Sequence, residues 1–535
     1  GAVRPRSMGL RTVAENGPSA TRQRRRLGIA NGPGVDILAN SSECARTRSG
    51  GGSRLSAIRP FRLMIAGAFA PSLSESTTAM RFLRLLVVFC FLPGAGPVSA
   101  APYFTVPFLP VSETAAAGSL PLAADGRAAS IYHDAADAAV VGLAANALRD
   151  DIQRVTGLEP AVATTDPAAA PTAVFIGTVG SSRLIDGLVA AGKLDVAPIQ
   201  GQWEAYTAAV VADPAAGVGQ ALVVAGSDRR GTAFGVFALS EAIGVSPWYW
   251  WGDVPVAPKP ALHVGGGTFT APSPGVKYRG IFLNDEDWGL YPWAAQTFDP
   301  AGDVGPATYA RVCELLLRLH ANYLWPAMHE ITAPFYTVPG NMAVADNYAI
   351  VVGTSHHEPM LRNTAEYDEA TMGPYNYWTN RDNIRHFWEQ RVVEAKANEN
   401  IYTVGMRALW DSAMQAPAGT TTEQKRDMLQ NSIIPDQRQM VADHVNPNPA
   451  LVPQAFVPYN EALLLYQAGL QLPDDITLLW VDDNHGYLRQ LSNPAERARA
   501  GGQVSTRIEV RQDDIRITRF KHKSQTTTIF VVDAS

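Results

Sequence analysis

Residues 451–483 read LVPQAFVPYNEALLLYQAGLQLPDDITLLWVDD. Two dense apolar runs, LVPQAFVPY from Leu451 and ITLLWVDD from Ile476, flank a stretch in which Glu461 opens a helix. Strands with one wet face alternate apolar and polar residues; runs this continuous belong to parallel strands buried on both faces. The same rhythm extends upstream to Gly275. RGIFLND from Arg279, NYLWPA from Asn322, AIVVGTS from Ala349 and IYTVGMR from Ile401 give four earlier strands with helices between them. In the first helix Tyr309, Val312, Cys313, Leu316 and His320 share a face, so Cys313 is packing rather than chemistry.

Six such units predict an α/β fold of the (β/α)8-barrel type over 275–502, two units short of the eight that close a barrel. After Gly502 the text turns basic and Thr-rich, as in RIEVRQDDIRITRF from Arg507. The barrel is therefore expected to be cut short there, leaving 503–535 as an unrelated tail.

Upstream, 101–272 mixes helix and strand and predicts a separate α+β domain. Val140, Leu143, Ala147, Leu148, Ile152 and Val155 recur at helical spacing before Gly157, a C-cap. TAVFIGTV from Thr172 and ALVVAGSD from Ala221 read as strands, with helices around SSRLIDGLVAAG and GTAFGVFALSEAIG. The aromatics Trp248 to Trp251 are expected to pack between domains. Arg81 and Arg84 precede a short apolar run ending near Leu92, and Val98-Ser99-Ala100 supplies small residues. That is the pattern of a secretory signal peptide over 80–100, which implies a secreted, extracellular protein and makes 1–79 an upstream translation artefact or a dispensable, unstructured extension.

A net charge of −6 gives no field for gripping nucleic acid or acidic lipid. With 3 cysteines there is no disulfide framework. No residue pattern calls for a cofactor or metal. In a parallel barrel the C-terminal strand ends form the active-site mouth, and acidic residues gather there. Asn284, Asp285, Glu286 and Asp287 end the first strand. Arg407 and Asp411 follow the fourth, Tyr459 and Glu461 the fifth, and Asp482 and Asp483 the sixth. Hydrolysis of a glycosidic bond needs one carboxylic acid to protonate the leaving oxygen and a second carboxylate to activate water or attack carbon. Each residue also has a plainer use. Glu461 complements a helix N-terminus, Asp285 and Asp482 make N-caps, Asp411 suits a solvated loop, and Arg407 is a structural partner for any of them.

The wording of the strands narrows the field. GVKYRGIFLNDEDWGLYPWA, VVGTSHHEPMLRN, NIYTVGMRALWDSAM and VPQAFVPYNEALLLYQAGLQLPDDITLLWVDDN closely resemble glycoside hydrolase family 115, the xylan α-1,2-glucuronidases. The resemblance runs from about Ala101 to Gly502. It implies hydrolysis, with inversion, of (4-O-methyl)-glucuronic acid side chains on a xylan substrate. Glu461 resembles the family's proposed general acid and Asp411 its candidate general base. Asn284, Asp285, Arg407, Tyr459 and Asp482 resemble positions lining the uronic-acid site, and Glu241 an acidic position from the N-terminal domain. The Arg407 guanidinium would offer a fork to the substrate carboxylate. His356 and His357 in TSHHEP are weaker candidates, suited to structural hydrogen bonding. The family's later barrel units and dimerisation region have no counterpart in the text, so a truncated, non-catalytic polypeptide is the competing expectation. A hexosaminidase-like hydrolase fits less well, because Asp411 is followed by Ser412 rather than by Glu.

Overall fold

The computed structural model describes residues 107–284, 286–481 and 489–498, together with a strand at 529–532. The expectations for the leader region, Asp285, Asp482, Asp483 and most of the tail fall outside those residues. No helix among the described residues is long and apolar enough to cross a membrane.

The N-terminal half is built on a six-stranded sheet of β1 (Ser130–His133), β2 (Val162–Ala163), β3 (Ala170–Thr178), β4 (Tyr206–Ala215), β5 (Val218–Gly226) and β6 (Thr268–Ala271). Their spatial order is β6-β4-β5-β3-β1-β2. Strands β1, β2, β3 and β5 run parallel, and β4 and β6 add an antiparallel edge. The sequence does not single out β4, whose YTAAVVADPA is rich in small residues and carries Asp213-Pro214 inside the strand. One face of the sheet is covered by α1 (Ala139–Thr156) and α3 (Arg229–Ile243), the other by α2 (Arg183–Ala190). Helix α1 ends as its sequence dictates, at Gly157 with φ 75°. Helix α3 starts where the Asp228 carboxylate accepts from the Gly231 N–H.

The second half carries six short parallel strands: β7 (Tyr278–Phe282), β8 (Tyr323–Trp325), β9 (Val351–Val352), β10 (Tyr402–Val404), β11 (Gln454–Phe456) and β12 (Thr477–Leu478). They pair in chain order as two sheets of three, β7-β8-β9 and β10-β11-β12. A single parallel bridge, Val352 to Asn400, joins them. Among the described residues no sheet closes on itself. Strand β13 (Ile529–Val532) lies antiparallel along the outer edge of β7. The text of the tail did not announce that strand.

Between β7 and β8 runs α4 (Pro306–Arg318). Cys313 is fully buried on it, and burial pushes its thiol well above the ordinary range. His320 was expected to continue this helix, but it falls beyond its end, at φ 55°, with its ring stacked on Phe234 at 4.9 Å. The aromatic run does pack across the two halves. Trp250 and Trp251 meet Trp293 at 5.8 and 5.7 Å, and the Tyr249 hydroxyl donates to Glu314 at 2.9 Å.

Two buried ionic knots reinforce this junction. Arg318 on α4 donates to both oxygens of Asp151 on α1, at 2.8 and 3.2 Å. Burial still raises the Asp151 carboxyl above its usual value despite that partner. Glu204, fully buried before β4, accepts from Arg230 (2.7 Å), Arg279 (2.6 Å) and Asn322 (2.6 Å). It thereby ties α3 to the start of β7 and the residue that precedes β8. A buried carboxylate with three donors is tolerated because every charge has an answer.

Candidate active site

The carboxyl-end loops of β7 to β11 bring a polar cluster together around Arg407. Only 2% of the Arg407 side chain is exposed. It follows β10 and lies against two carboxylates, Asp411 four residues on and Glu461 far along the chain. Its Nε donates to Glu461 Oε1 and Oε2 at 2.9 and 3.0 Å, and its Nη2 to Oε2 at 2.6 Å. Its Nη1 contacts Asp411 Oδ1. Glu461 is the first residue of helix α8 (Glu461–Gln467; helices α5 to α7 are Asn341–Asn347, Arg381–Ala395 and Ile434–His444). Its side chain turns to Arg407, and Oε1 also accepts from the Met414 N–H at 3.1 Å. Serving the helix terminus is therefore not its main engagement.

The backbone holding these carboxylates is unusual. Trp410, Asp411 and Asn460 have φ of 56°, 59° and 51°. A left-handed conformation costs a residue with a β-carbon roughly 1–2 kcal/mol, and for a bulky aromatic it is a true outlier. Such strain collects where side-chain placement matters more than local stability. The Trp410 turn is closed by Ala408 N–H to Ser412 O (3.0 Å) and Ser412 N–H to Leu409 O (3.2 Å).

Asp411 is 43% exposed, against 17% for Glu461. Its contacts among the described residues all fall on Oδ1: Arg407 Nη1, His356 Nε2 at 2.6 Å and His357 Nδ1 at 4.0 Å. Burial, then Arg407, lowers His356 to about 3, and burial likewise holds His357 well below the usual imidazole range. Both rings are neutral near pH 7, so His356 meets Asp411 as an N–H donor. The His356 ring also packs on Tyr459 at 4.4 Å, and Arg407 lies 5.5 Å from the same phenol ring.

Behind the imidazoles sits a residue the sequence reading passed over. Glu358 is buried, and burial raises its carboxyl to about 8 against the pull of Ser355 hydrogen bonds. Ser355 Oγ bridges Glu358 Oε2 (2.9 Å) and His357 Nδ1 (3.3 Å). A second group lies at the ends of β7 and β8. His329 Nδ1 is 3.0 Å from Asp287 Oδ1, and Nε2 is 3.0 Å from Asn284 Oδ1. Glu286, buried, accepts from the backbone N–H groups of Met328 (2.6 Å) and His329. The two groups are linked through Met328, whose Sδ accepts from Ser355 Oγ at 3.2 Å. Neither His329 nor Glu358 shows a sequence signal that distinguishes it from ordinary core or loop residues.

Arg407, Asp411, Tyr459 and Glu461 thus converge, and Asn284 joins them through His329. Glu241 stands on α3, half-buried, where its charge adds to burial in raising the Tyr206 hydroxyl. Tyr206 in turn packs by His320, near the start of β8. His356, His357 and Asp411 have ligand atoms within 4.8 Å of one another, the spacing of a metal site. The Arg407 guanidinium already contacts the Asp411 oxygen that would serve as ligand, so a cation there would face a fixed positive charge.

Two carboxylates clasped by one guanidinium at the ends of parallel strands fit the class of glycoside hydrolases. Comparison with known proteins makes the assignment particular. Residues 271–504 match the model of glycosyl hydrolase family 115, and the chain belongs to that family. It is similar to BtGH115A, a family GH115 4-O-methyl-α-glucuronidase with specificity for decorated arabinogalactans. The identity is 40% and the TM-score 0.64, over 72% of this chain and 48% of that one. The chain thus spans about half the length of that relative. Two other solved structures superpose loosely. Flavobacterium johnsoniae chitobiase has 10% identity and a TM-score of 0.39, over 72% of this chain and 54% of its own. The β-N-acetylhexosaminidase of Streptomyces coelicolor A3(2) has 13% identity and a TM-score of 0.38, over 69% and 67%. No curated protein matches.

Proposed function

We propose that the chain is a secreted α-glucuronidase. It hydrolyses the bond joining a (4-O-methyl)-glucuronic acid side chain to a polysaccharide main chain, with inversion, on a (β/α)-barrel scaffold. The observation that carries the reading is the shared clasp of Arg407 on Glu461 and Asp411. In this mechanism Glu461 protonates the leaving oxygen, and Asp411 draws a proton from water through Oδ2 while Oδ1 stays anchored on Arg407 and His356. Glu461 cannot donate a proton while paired on both oxygens with a guanidinium. The substrate brings its own carboxylate, which takes the place of Glu461 on the Arg407 fork and leaves Glu461 free to carry a proton. Tyr459 and Asn284 belong to the sugar site in this reading; for Asp285, Asp482 and Glu241 that role is what the family resemblance implies, and Glu241 stands by Tyr206 rather than in the Arg407 cluster. Xylan is the main chain implied by the resemblance. The specificity of BtGH115A for decorated arabinogalactans favours that polymer as a second reading.

The test is uronic acid release from glucuronoxylan and from glucuronic-acid-bearing arabinogalactan. Glu461→Gln and Asp411→Asn should each lower turnover by about 10²–10⁴-fold, the usual share of general acid–base catalysis. A folded protein that releases uronic acid from neither polymer refutes the proposal.

A further inference from the structure

Two indoles at the strand ends are left in water beside the carboxylate cluster. Trp410 is 51% exposed and Trp288 is 68% exposed. Each is the chain neighbour of a pocket carboxylate: Trp410 of Asp411, and Trp288 of Asp287, which meets His329. Consecutive Cα atoms are about 3.8 Å apart, so both rings start at the rim of the cluster. Neither position is incidental. Trp410 and Asp411 occupy successive left-handed conformations, closed by the Ala408 and Ser412 hydrogen bonds. Trp288 ends a short 3-10 turn whose first residue, Glu286, is fastened to the backbone of Met328 and His329. A large apolar ring held out of the core by a strained or anchored turn points to a ligand that covers it.

We infer that Trp410 and Trp288 form a platform for the neutral pyranose main chain of the polysaccharide, next to the pocket that takes the charged sugar. The occupant follows from the chemistry. A pyranose ring offers an apolar C–H face to an indole and hydroxyls to the polar rim, here Asp287, Asn284 and His329. An anionic ligand would instead meet the acidic groups at the rim. The inference rests on the proposed function, because it identifies the main-chain side of the same bond.

Undecorated xylo-oligosaccharide and galacto-oligosaccharide test the platform separately from hydrolysis, since neither carries uronic acid. With the full chain, one of them should bind, shift the indole emission and protect it from acrylamide quenching. Trp410→Ala should weaken that binding by about tenfold, the loss of roughly 1.4 kcal/mol, and Trp410→Phe by less, since a flat ring remains. Trp288→Ala should remove part of the emission change without the strained turn being touched. Uronic acid release from decorated polymer, read in parallel, reports on the proposed function alone. The platform is overturned if neither oligosaccharide binds, or if Trp410→Ala and Trp288→Ala bind as tightly as the parent. It is also overturned if sedimentation shows that both indoles are buried in a self-associated form that the alanine variants lose.

Discussion

Glu204→Gln tests how firmly the two halves of the molecule are tied. The substitution keeps the shape of the side chain and removes its charge. Arg230 and Arg279 then face a neutral amide with a single acceptor, where Glu204 now receives three donors within 2.7 Å. Burial depresses the Arg279 guanidinium and Glu204 offsets it, so the loss falls hardest there. Arg230 keeps Glu399 at 2.6 Å, and Arg279 keeps the carbonyl of His320 at 2.7 Å. Those residual partners place the effect near the lower end of the roughly 3–5 kcal/mol for breaking a buried ion pair. At about 2–4 °C per kcal/mol for a large domain, the melting temperature should drop by roughly 5–10 °C. Differential scanning calorimetry reads this directly. Adding Arg279→Met should cost less than the sum of the two single changes, because both act on one network. A shift of under about 1 °C for Glu204→Gln, or strict additivity in the double variant, refutes the view that this knot anchors β7 and β8.

Other outcomes follow from the same structure. The Glu358 carboxyl is raised from 4.5 to about 8 on folding, so the folded state holds its proton longer. The stability this provides is complete below pH 4.5 and is lost as pH climbs to about 8. Glu358→Gln should flatten the decline of melting temperature across that window, and an unchanged pH profile would contradict it. His320 and His356 are depressed from 6.5 to about 3, so their contribution runs the other way and is lost as pH falls below 6.5. Replacing His356 with Asn should soften this acid limb, and urea midpoints at pH 4 and 7 measure it. For turnover, His356→Phe removes the N–H from Asp411 Oδ1 while preserving the stack on Tyr459. It should lower kcat by about tenfold, the worth of a charge-assisted hydrogen bond near 1.5 kcal/mol, with KM little changed.

Much of this architecture is legible in the text of the chain. The parallel strands announce themselves because both faces are buried, which forces continuous apolar runs such as ITLLWVDD. The Gly157 cap is a local signal with a local cause. What escapes is what depends on distance. Strand β4 is set by pairing with β5 and β6, not by its own small residues. His320 leaves its helix because the Phe234 stack and the Arg279 bond to its carbonyl fix it elsewhere. At the site, Arg407, Asp411 and Glu461 could be picked out by their places at strand ends, but not their common clasp. That clasp depends on positive φ at Trp410, Asp411 and Asn460, none of them glycine. His329 and Glu358 gain meaning only from neighbours that folding supplies.

The central claim is that Glu461 and Asp411 act as acid and base across an α-linked glucuronic acid. The most direct measurement is proton NMR of the first product formed from a glucuronic-acid-decorated oligosaccharide. The account predicts that the β-anomer of the uronic acid appears first and then mutarotates, with no product from Asp411→Asn on the same timescale. An α-anomer appearing first, or an Asp411→Asn variant as fast as the parent, would contradict it.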